Sequence, residues 1–422
     1  MDKLAGKKLL ILGGKPIGSC EIAEYARQHG IYTIVTDYLP TELSEAKKYA
    51  DEAWDVSTAD VDTLVLKSKE AGVDGVYTGV HEFNIRKMIE LCDRLELPCF
   101  CSLAQWDTLN NKGEFKRLCE QYGVPTTVAY PCRDLTDEEL AAVEFPVICK
   151  PVDGSGSRGF SVCYTAEELR AAFPEAVSFS QSGKVLVERF MRYENSVIIN
   201  YTAVNGEIYF SGISDKQSKK VFEGGAPIMS IQFYPSAFEK NYLEELDDKV
   251  KRMFSEFGVK NGVIWIEAFC DEGRFTFNEM GFRFGGSLTY LPVEHLYGTA
   301  QLPLQIEYAL LGKNEGHAKI GEQRIFDGTY CIFPVHVKPG RIASVIGLEE
   351  LESLPFTVRV VPVHFKGDTI ENWGSAQQVF AYIHFVAENR EQANAHIETI
   401  KKTLFVLDED NRNLLFNLYS ED

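Results

Sequence analysis

From residue 7 to about 104, short apolar runs alternate with amphipathic stretches. "KLLILG", "IYTIVT", "DGVYTG" and "LPCFCS" read as buried strands, and "SCEIAEYARQHG" and "EFNIRKMIELCDRLE" as helices with apolar residues on one face. This alternation predicts a parallel sheet with helices on both faces. The first helix should stop at Gly30 and the last at Glu96, before a Leu-Pro. "WDTLNNKGEFKRLCEQYGVPTT" predicts one helix ending at Gly123. From about residue 145 the pattern turns to strand after strand: "FPVICKP", "RGFSVCY", "KVLVERFM" and "SVIINYTAVNGEIYFSGIS", with Asn205-Gly206 as a hairpin turn. After a helix around "YLEELDDKVKRMFSEFGV", a second hairpin, "GVIWIEAFCDEGRFTFNEMGFRFGG", turns between Asp271 and Gly273. Beyond Gly312 the chain reads as strands with one helix, "REQANAHIETIKKTLFVL". The expected class is therefore α/β at the start and α+β with antiparallel sheets after it.

The first strand runs into "LGGKPIG". A dinucleotide fingerprint needs Gly-x-Gly-x-x-Gly there, followed by a ribose-binding acid. Gly13, Gly18 and Asp37 fit, but Lys15 stands where the middle glycine belongs, blocking close approach of a pyrophosphate. The turn still lies where open α/β sheets hold ligands, so Lys15 either faces a small anionic substrate or points to solvent as turn lysines commonly do.

Composition narrows the partners. The 422 residues exceed the size of a single core, so two to four domains sharing a cleft are expected. With 62 Asp and Glu against 43 Lys and Arg, the formal charge is −19, and no basic stripe offers a nucleic acid a surface. The ten cysteines, among them Cys92, Cys99, Cys101, Cys149, Cys163 and Cys270, are irregularly spaced in apolar surroundings, as expected of thiols in a reducing cytosol. No signal-like run and no apolar segment near the ~18 residues of a membrane span is found, so a cytoplasmic protein with no membrane partner is expected.

Three elements carry candidate chemistry. In "FPVICKPVDGSGSRGFSVCY", Lys150 ends a buried strand, and Gly154, Ser155, Gly156, Ser157, Arg158 and Gly159 form a loop whose backbone N–H groups can fold over phosphate oxygens. No Gly-Lys-Ser/Thr follows, so it is not a Walker A loop, and a plain hairpin tip explains the loop alone equally well. A buried lysine, however, needs a negative partner. The second element, "KVLVERFMRYENSV", passes from Glu188 through Arg189, Phe190 and Met191 to Glu194, and alone is equally an acidic surface connection. The third is the pair Glu267 and Glu279, each on an otherwise apolar strand of one hairpin. Two inward carboxylates are costly unless a cation lies between them, and hard oxygen donors suit Mg²⁺; pairing with arginines such as Arg283 is the structural alternative. His81 and Glu82 lie just past a strand end, while His295, His336, His364 and His384 lack metal-ligand spacing. Lys216, ahead of the loop Glu223 to Ala226, either reaches the cleft or belongs to a charged surface loop.

Together these elements resemble the ATP-grasp superfamily over nearly the whole chain, most of all the carboxylate–amine ligases related to biotin carboxylase, to carbamoyl-phosphate synthase halves and to the L-amino-acid ligases. The resemblance implies a Rossmann-like pre-grasp domain at 1–107, an ATP-grasp domain at 108–312 with a lid subdomain at about 145–193, and a small β-rich C-terminal domain at 313–422 that completes the fold. It implies that Lys112 and Lys150 contact ATP phosphates, that loop 154–159 covers them, that Glu188, Arg189, Phe190 and Met191 hold the adenine, and that Glu194 binds the ribose. Glu267 and Glu279 would bind Mg²⁺, with Mn²⁺ as a substitute, and Arg283 would face the γ-phosphate and the acyl phosphate made from it. The implied partners are a small-molecule carboxylate and an amine, with a homodimer as the oligomer considered. Where the family's ending is Glu-x-Asn-x-Arg, "EMGFR" has Gly281 at the asparagine, which weakens a second metal site. Two other classes are carried: a nucleotide-binding regulatory protein that has lost catalysis, for which Gly281 is the hint, and an NAD-linked oxidoreductase built on the opening turn.

Overall fold

Leu9, Leu10, Ile11 and Leu12 have no exposed surface, and with Lys8 they form β1 (Lys8–Leu12), a central strand of the N-terminal sheet. β2 (Tyr32–Thr36), β3 (Glu52–Trp54) and β4 (Gly75–Thr78) complete it in the order β3-β2-β1-β4, all parallel. The helices α1 (Ser19–Gln28), α2 (Val61–Ala71) and α3 (Glu82–Leu95) connect these strands or follow them. The computed structural model describes residues 3–15, 17–153, 159–191, 195–222, 227–271, 273–315, 319–321, 323–371 and 373–420.

Two expectations for this region need correcting. Leu97–Ser102 is not a strand: Pro98 has no N–H to give to a ladder, and the segment runs as coil from α3 into the next helix. The helix expected up to Gly123 is two, α4 (Leu103–Asn110) and α5 (Lys112–Gln121). Asn111 makes the break, since its side-chain oxygen accepts the N–H groups of Gly113 (3.0 Å) and Glu114 (3.1 Å). The break puts Lys112 at the first position of α5, where its amine is free of the preceding helix.

The glycine turn after β1 is satisfied from within. Asp37 is buried and accepts from the N–H groups of Gly14 (2.8 Å) and Leu39 (2.9 Å) and from the Ser44 hydroxyl (2.7 Å), and the Lys47 amine lies 3.1 Å away. A Cβ on Gly14 would lie 2.1 Å from the Ser44 oxygen. The acid that a dinucleotide ribose would need is thus already committed. Lys15 does not stand free either, because its amine pairs at 2.8 Å with Asp368, from the last third of the chain. The pair is partly exposed, so Lys15→Ala is expected to change the unfolding free energy in urea by less than about 1 kcal/mol.

A second, four-stranded sheet contains β5 (Ala129–Tyr130), β6 (Val147–Pro151), β7 (Ser161–Cys163) and β8 (Val185–Arg189) in the antiparallel order β5-β8-β6-β7. Its core includes Val147, Cys149, Cys163, Leu169 and Val187. The largest sheet has nine strands: β9 (Asn195–Val204), β10 (Glu207–Lys220), β11 (Pro227–Tyr234), β12 (Gly262–Asp271), β13 (Arg274–Gly281), β14 (Thr329–Val337) and three short or C-terminal strands, with β13-β12-β9-β10-β11-β14 adjacent in that order. The β9–β10 turn places Asn205 (φ 53°) and Gly206 (φ 92°) in the left-handed region, the backbone a two-residue hairpin demands. Because β11 pairs with β14, this sheet runs on past residue 312. All ten cysteines are thiols, and among the described residues no helix is long and apolar enough to cross a membrane.

Candidate active site

The candidate site is built on a cluster of buried charged side chains. The Lys150 amine on β6 lies 2.7 Å from the Glu188 carboxylate on β8, and both side chains are less than a tenth exposed. The other Glu188 oxygen accepts from Thr127 (2.9 Å) and pairs closely with Lys116, one turn beyond Lys112 on the same face of α5. Two amines therefore share one carboxylate, which cannot compensate both if both are charged. Burial, then repulsion from Lys150 and Lys112, lowers the Lys116 amine to about 6. Burial, then Lys112, brings Lys150 down to about 7 against the attraction of Glu279 and Glu267. Glu188 lies within a strand rather than on a connection, and its carboxylate is taken up by this cluster. Lys116 was not found from sequence; its spacing of four from Lys112 was the available signal.

The two glutamates face each other. Glu267 on β12 and Glu279 on β13 are direct cross-strand partners, and a bulge follows at once, between Glu267 and Ala268. Each already carries a lysine: Lys216 on β10 lies 2.8 Å from Glu267, and Lys112 lies 3.0 Å from Glu279. Lys216 is thus on a strand with its amine on Glu267, not on a surface loop. Burial raises the Glu279 carboxyl, but Lys112, Lys150 and Lys216 more than reverse this and leave it at about 2. Burial lowers the Lys112 amine, yet Glu279, with Glu267 and Glu82, carries it above the ordinary lysine value. Two ionised carboxylates side by side, each partly open to the cleft, are a donor set that fits Mg²⁺. Asn278, at the bulge, accepts a hydrogen bond from Lys150 at 3.3 Å.

Arg283 lies two residues past the end of β13. It pairs with Glu82, the first residue of α3, at 2.8 Å, so the N-terminal sheet and β13 meet here. It does not pair with Glu267 or Glu279, as the structural alternative required. Its guanidinium carbon lies 5.2 Å from the ring centre of Trp265, and its Nε is buried without a partner. Trp265 is opposite Gly281 in the ladder, and a Cβ on Gly281 would lie 2.3 Å from the indole nitrogen. The glycine is there because the indole fills the space.

Of the other expected site residues, Gly154, Ser155, Gly156, Ser157, Arg158 and Glu194 lie outside the described residues, as do Glu223 to Ala226. Gly159 is left-handed (φ 67°). Arg189 ends β8 with its side chain exposed and 3.6 Å from Glu144, its N–H bonded to Val128; the Phe190 N–H donates to Pro146 and Met191 follows, half-buried. The four isolated histidines have partners within the fold: His384 is fully buried with Nδ1 3.1 Å from the Tyr330 hydroxyl, His295 packs on Phe326 and Tyr330, His336 on Phe416, and His364 lies beside Asp368.

Comparison with known proteins places this site in a wider group. Residues 143–290, which hold Lys150, Glu188, Lys216, Glu267, Glu279 and Arg283, match the ATP-grasp domain. The formate-dependent phosphoribosylglycinamide formyltransferase of Wolinella succinogenes is 26% identical over 375 residues, covering 82% of this chain and 93% of that one. The L-amino acid ligase of Bacillus licheniformis superposes with a TM-score of 0.75 at 18% identity, covering 96% of this chain and 99% of that one. The biotin carboxylase domain of the Hydrogenobacter thermophilus 2-oxoglutarate carboxylase, solved with MgADP and bicarbonate, gives a TM-score of 0.76 at 20% identity, with 95% and 90% covered. At these identities the solved structures share the fold.

Proposed function

We infer that this chain, which carries an ATP-grasp domain at residues 143–290, is an ATP-dependent ligase that activates a small carboxylate as its acyl phosphate and joins it to an amine, releasing ADP and phosphate. The observation that carries the reading is the paired array of Lys112–Glu279 and Lys216–Glu267 beside Lys150. Alternating charges of this kind suit a polyphosphate with its counter-ion. Lys112 and Lys150 would bind the phosphates, the backbone of Arg189 to Met191 would run along the adenine, and loop 154–159 would cover the nucleotide. Glu188 would act through Lys150, holding the amine at the strand end. Glu267 and Glu279 would hold Mg²⁺, which when bound neutralises charge between the β- and γ-phosphates. Arg283, oriented by Glu82 and Trp265, would face the transferring phosphoryl group. The carboxylate oxygen attacks the γ-phosphorus, ADP leaves, and the amine then displaces phosphate from the acyl carbon. The residues supply position, electrostatics and exclusion of water, and no side-chain nucleophile is needed.

The reading as a non-catalytic nucleotide sensor draws on Gly281 alone. Release of ADP that rises when a carboxylate and an amine are both added separates the two, since a sensor gives no such rise.

The Lys150 amine, at about 7 in the ligand-free protein, sets a pH dependence. A phosphate beside it favours the charged form, so its value rises in the complex. Below pH 7 the amine is already protonated and affinity should be flat. Above it, binding must take up a proton, and the ADP dissociation constant should rise by up to about tenfold per pH unit. Calorimetry in buffers of different ionisation enthalpy measures the proton uptake directly. Affinity independent of pH from 6.5 to 9, with no proton taken up, would remove Lys150 from the phosphate site.

A further inference from the structure

We propose that the cleft takes a single divalent cation with its nucleotide, and that Lys216 supplies on Glu267 the positive charge a second cation would bring. The inference rests on the ligase reading above and deepens it.

The oxygen inventory of the two glutamates sets the limit. One oxygen of Glu267 is engaged by Lys216 at 2.8 Å, and one of Glu279 by Lys112 at 3.0 Å. Among the described residues each carboxylate keeps one oxygen without an ion pair, and the ladder register sets the two glutamates directly opposite each other, where one cation can bridge them together with phosphate oxygens. A second cation would need further donors of its own. Position 281 provides none, because the Trp265 indole lies 2.3 Å from where a Cβ would stand. The Asn278 oxygen, the neutral side-chain donor next to Glu279 on β13, already accepts from Lys150 at 3.3 Å. Among the described residues no group of three or more Asp, Glu, His and Cys forms a cation site. Trp265 has a use of its own in this arrangement, lying against the Arg283 guanidinium at 5.2 Å, so the space closed to a metal ligand is spent on orienting a cation.

Lys216 suits the substitution. It sits on an inner strand of the nine-stranded sheet, between β9 and β11, and its side chain is only 19% exposed. Its amine is held in place by the fold instead of sampling solvent. An ammonium on Glu267 keeps that carboxylate neutralised without octahedral ligands, and it repels any divalent ion approaching the same oxygen.

Titration with Mn²⁺ at saturating ADP, with free Mn²⁺ read by electron paramagnetic resonance, counts the bound ions without turnover. One Mn²⁺ per chain is expected. Lys216→Gln frees a Glu267 oxygen and removes the repelling charge, so a second Mn²⁺ or an affinity at least tenfold higher for the first is expected, while Lys216→Arg should keep the parent's single ion. Two Mn²⁺ in the parent would overturn the proposal and leave the ligase reading standing. So would a Lys216→Gln protein that still binds ADP and holds one Mn²⁺ with unchanged affinity. No Mn²⁺ bound in the presence of bound ADP would overturn both.

Discussion

Glu279→Gln is expected to lower turnover by about three orders of magnitude, the kinetic equivalent of about 4 kcal/mol, while ADP binding stays measurable. The substitution keeps the shape of the side chain and removes its charge. Lys112, which lies 3.0 Å from Glu279, then loses its ionic partner, and the cation proposed to bridge Glu267 and Glu279 loses one of its two protein carboxylates. The loss is felt in the transition state, where charge on the transferring phosphoryl group is largest, so kcat falls far more than affinity. Turnover within tenfold of the parent would remove Glu279 from the metal site. The same assay on Glu267→Gln should show a fall in the same direction, because the two residues face each other across one ladder step.

Glu188→Ala should be the most destabilising single change in the cleft, by about 3–5 kcal/mol. It leaves the Lys116 and Lys150 amines, with side chains 5% and 9% exposed, without the carboxylate they share, and it leaves the Thr127 hydroxyl without its acceptor. Adding Lys116→Met to Glu188→Ala removes one of the stranded amines and should restore part of the loss. Urea unfolding of the two variants and of Lys116→Met alone closes a double-mutant cycle. A loss below about 1 kcal/mol for Glu188→Ala would mean that the amines find water or other partners at once.

What could be read in the sequence, and what could not, follows the range of the interactions. The strands β1, β2 and β4 are apolar runs buried on both faces, and the hairpin turns at Asn205-Gly206 and before Arg274 carry their own backbone chemistry, so both were legible. β3 was not: Glu52–Trp54 is a three-residue edge strand with no alternation, and it exists because β2 offers it a partner. Leu97–Ser102 misled in the opposite way, being apolar enough for a strand but without a neighbour to pair with. Lys150, Glu267 and Glu279 stood out because each is charged within an apolar strand, and such residues must have partners. Lys116 and Lys216 lie in polar surroundings, as surface lysines do. Only tertiary folding sets Lys216 against a carboxylate 51 residues away. Asp37 and Lys15 show the reverse error, since an acid and a lysine near a glycine turn suggest a ligand, while here Ser44, Lys47 and Asp368 fill those roles from within the chain.

The central claim is that ATP activates a carboxylate as an acyl phosphate in this cleft, and the fate of a carboxylate oxygen tests it most directly. The protein is incubated with Mg²⁺-ATP, a panel of carboxylates labelled with ¹⁸O and a panel of amines, and the nucleotide and phosphate products are analysed by mass spectrometry. The account predicts ADP and phosphate in equal amounts, formed only when acid and amine are both present, with one carboxylate ¹⁸O carried into the phosphate. Formation of AMP and pyrophosphate, or of phosphate free of the label, would contradict it.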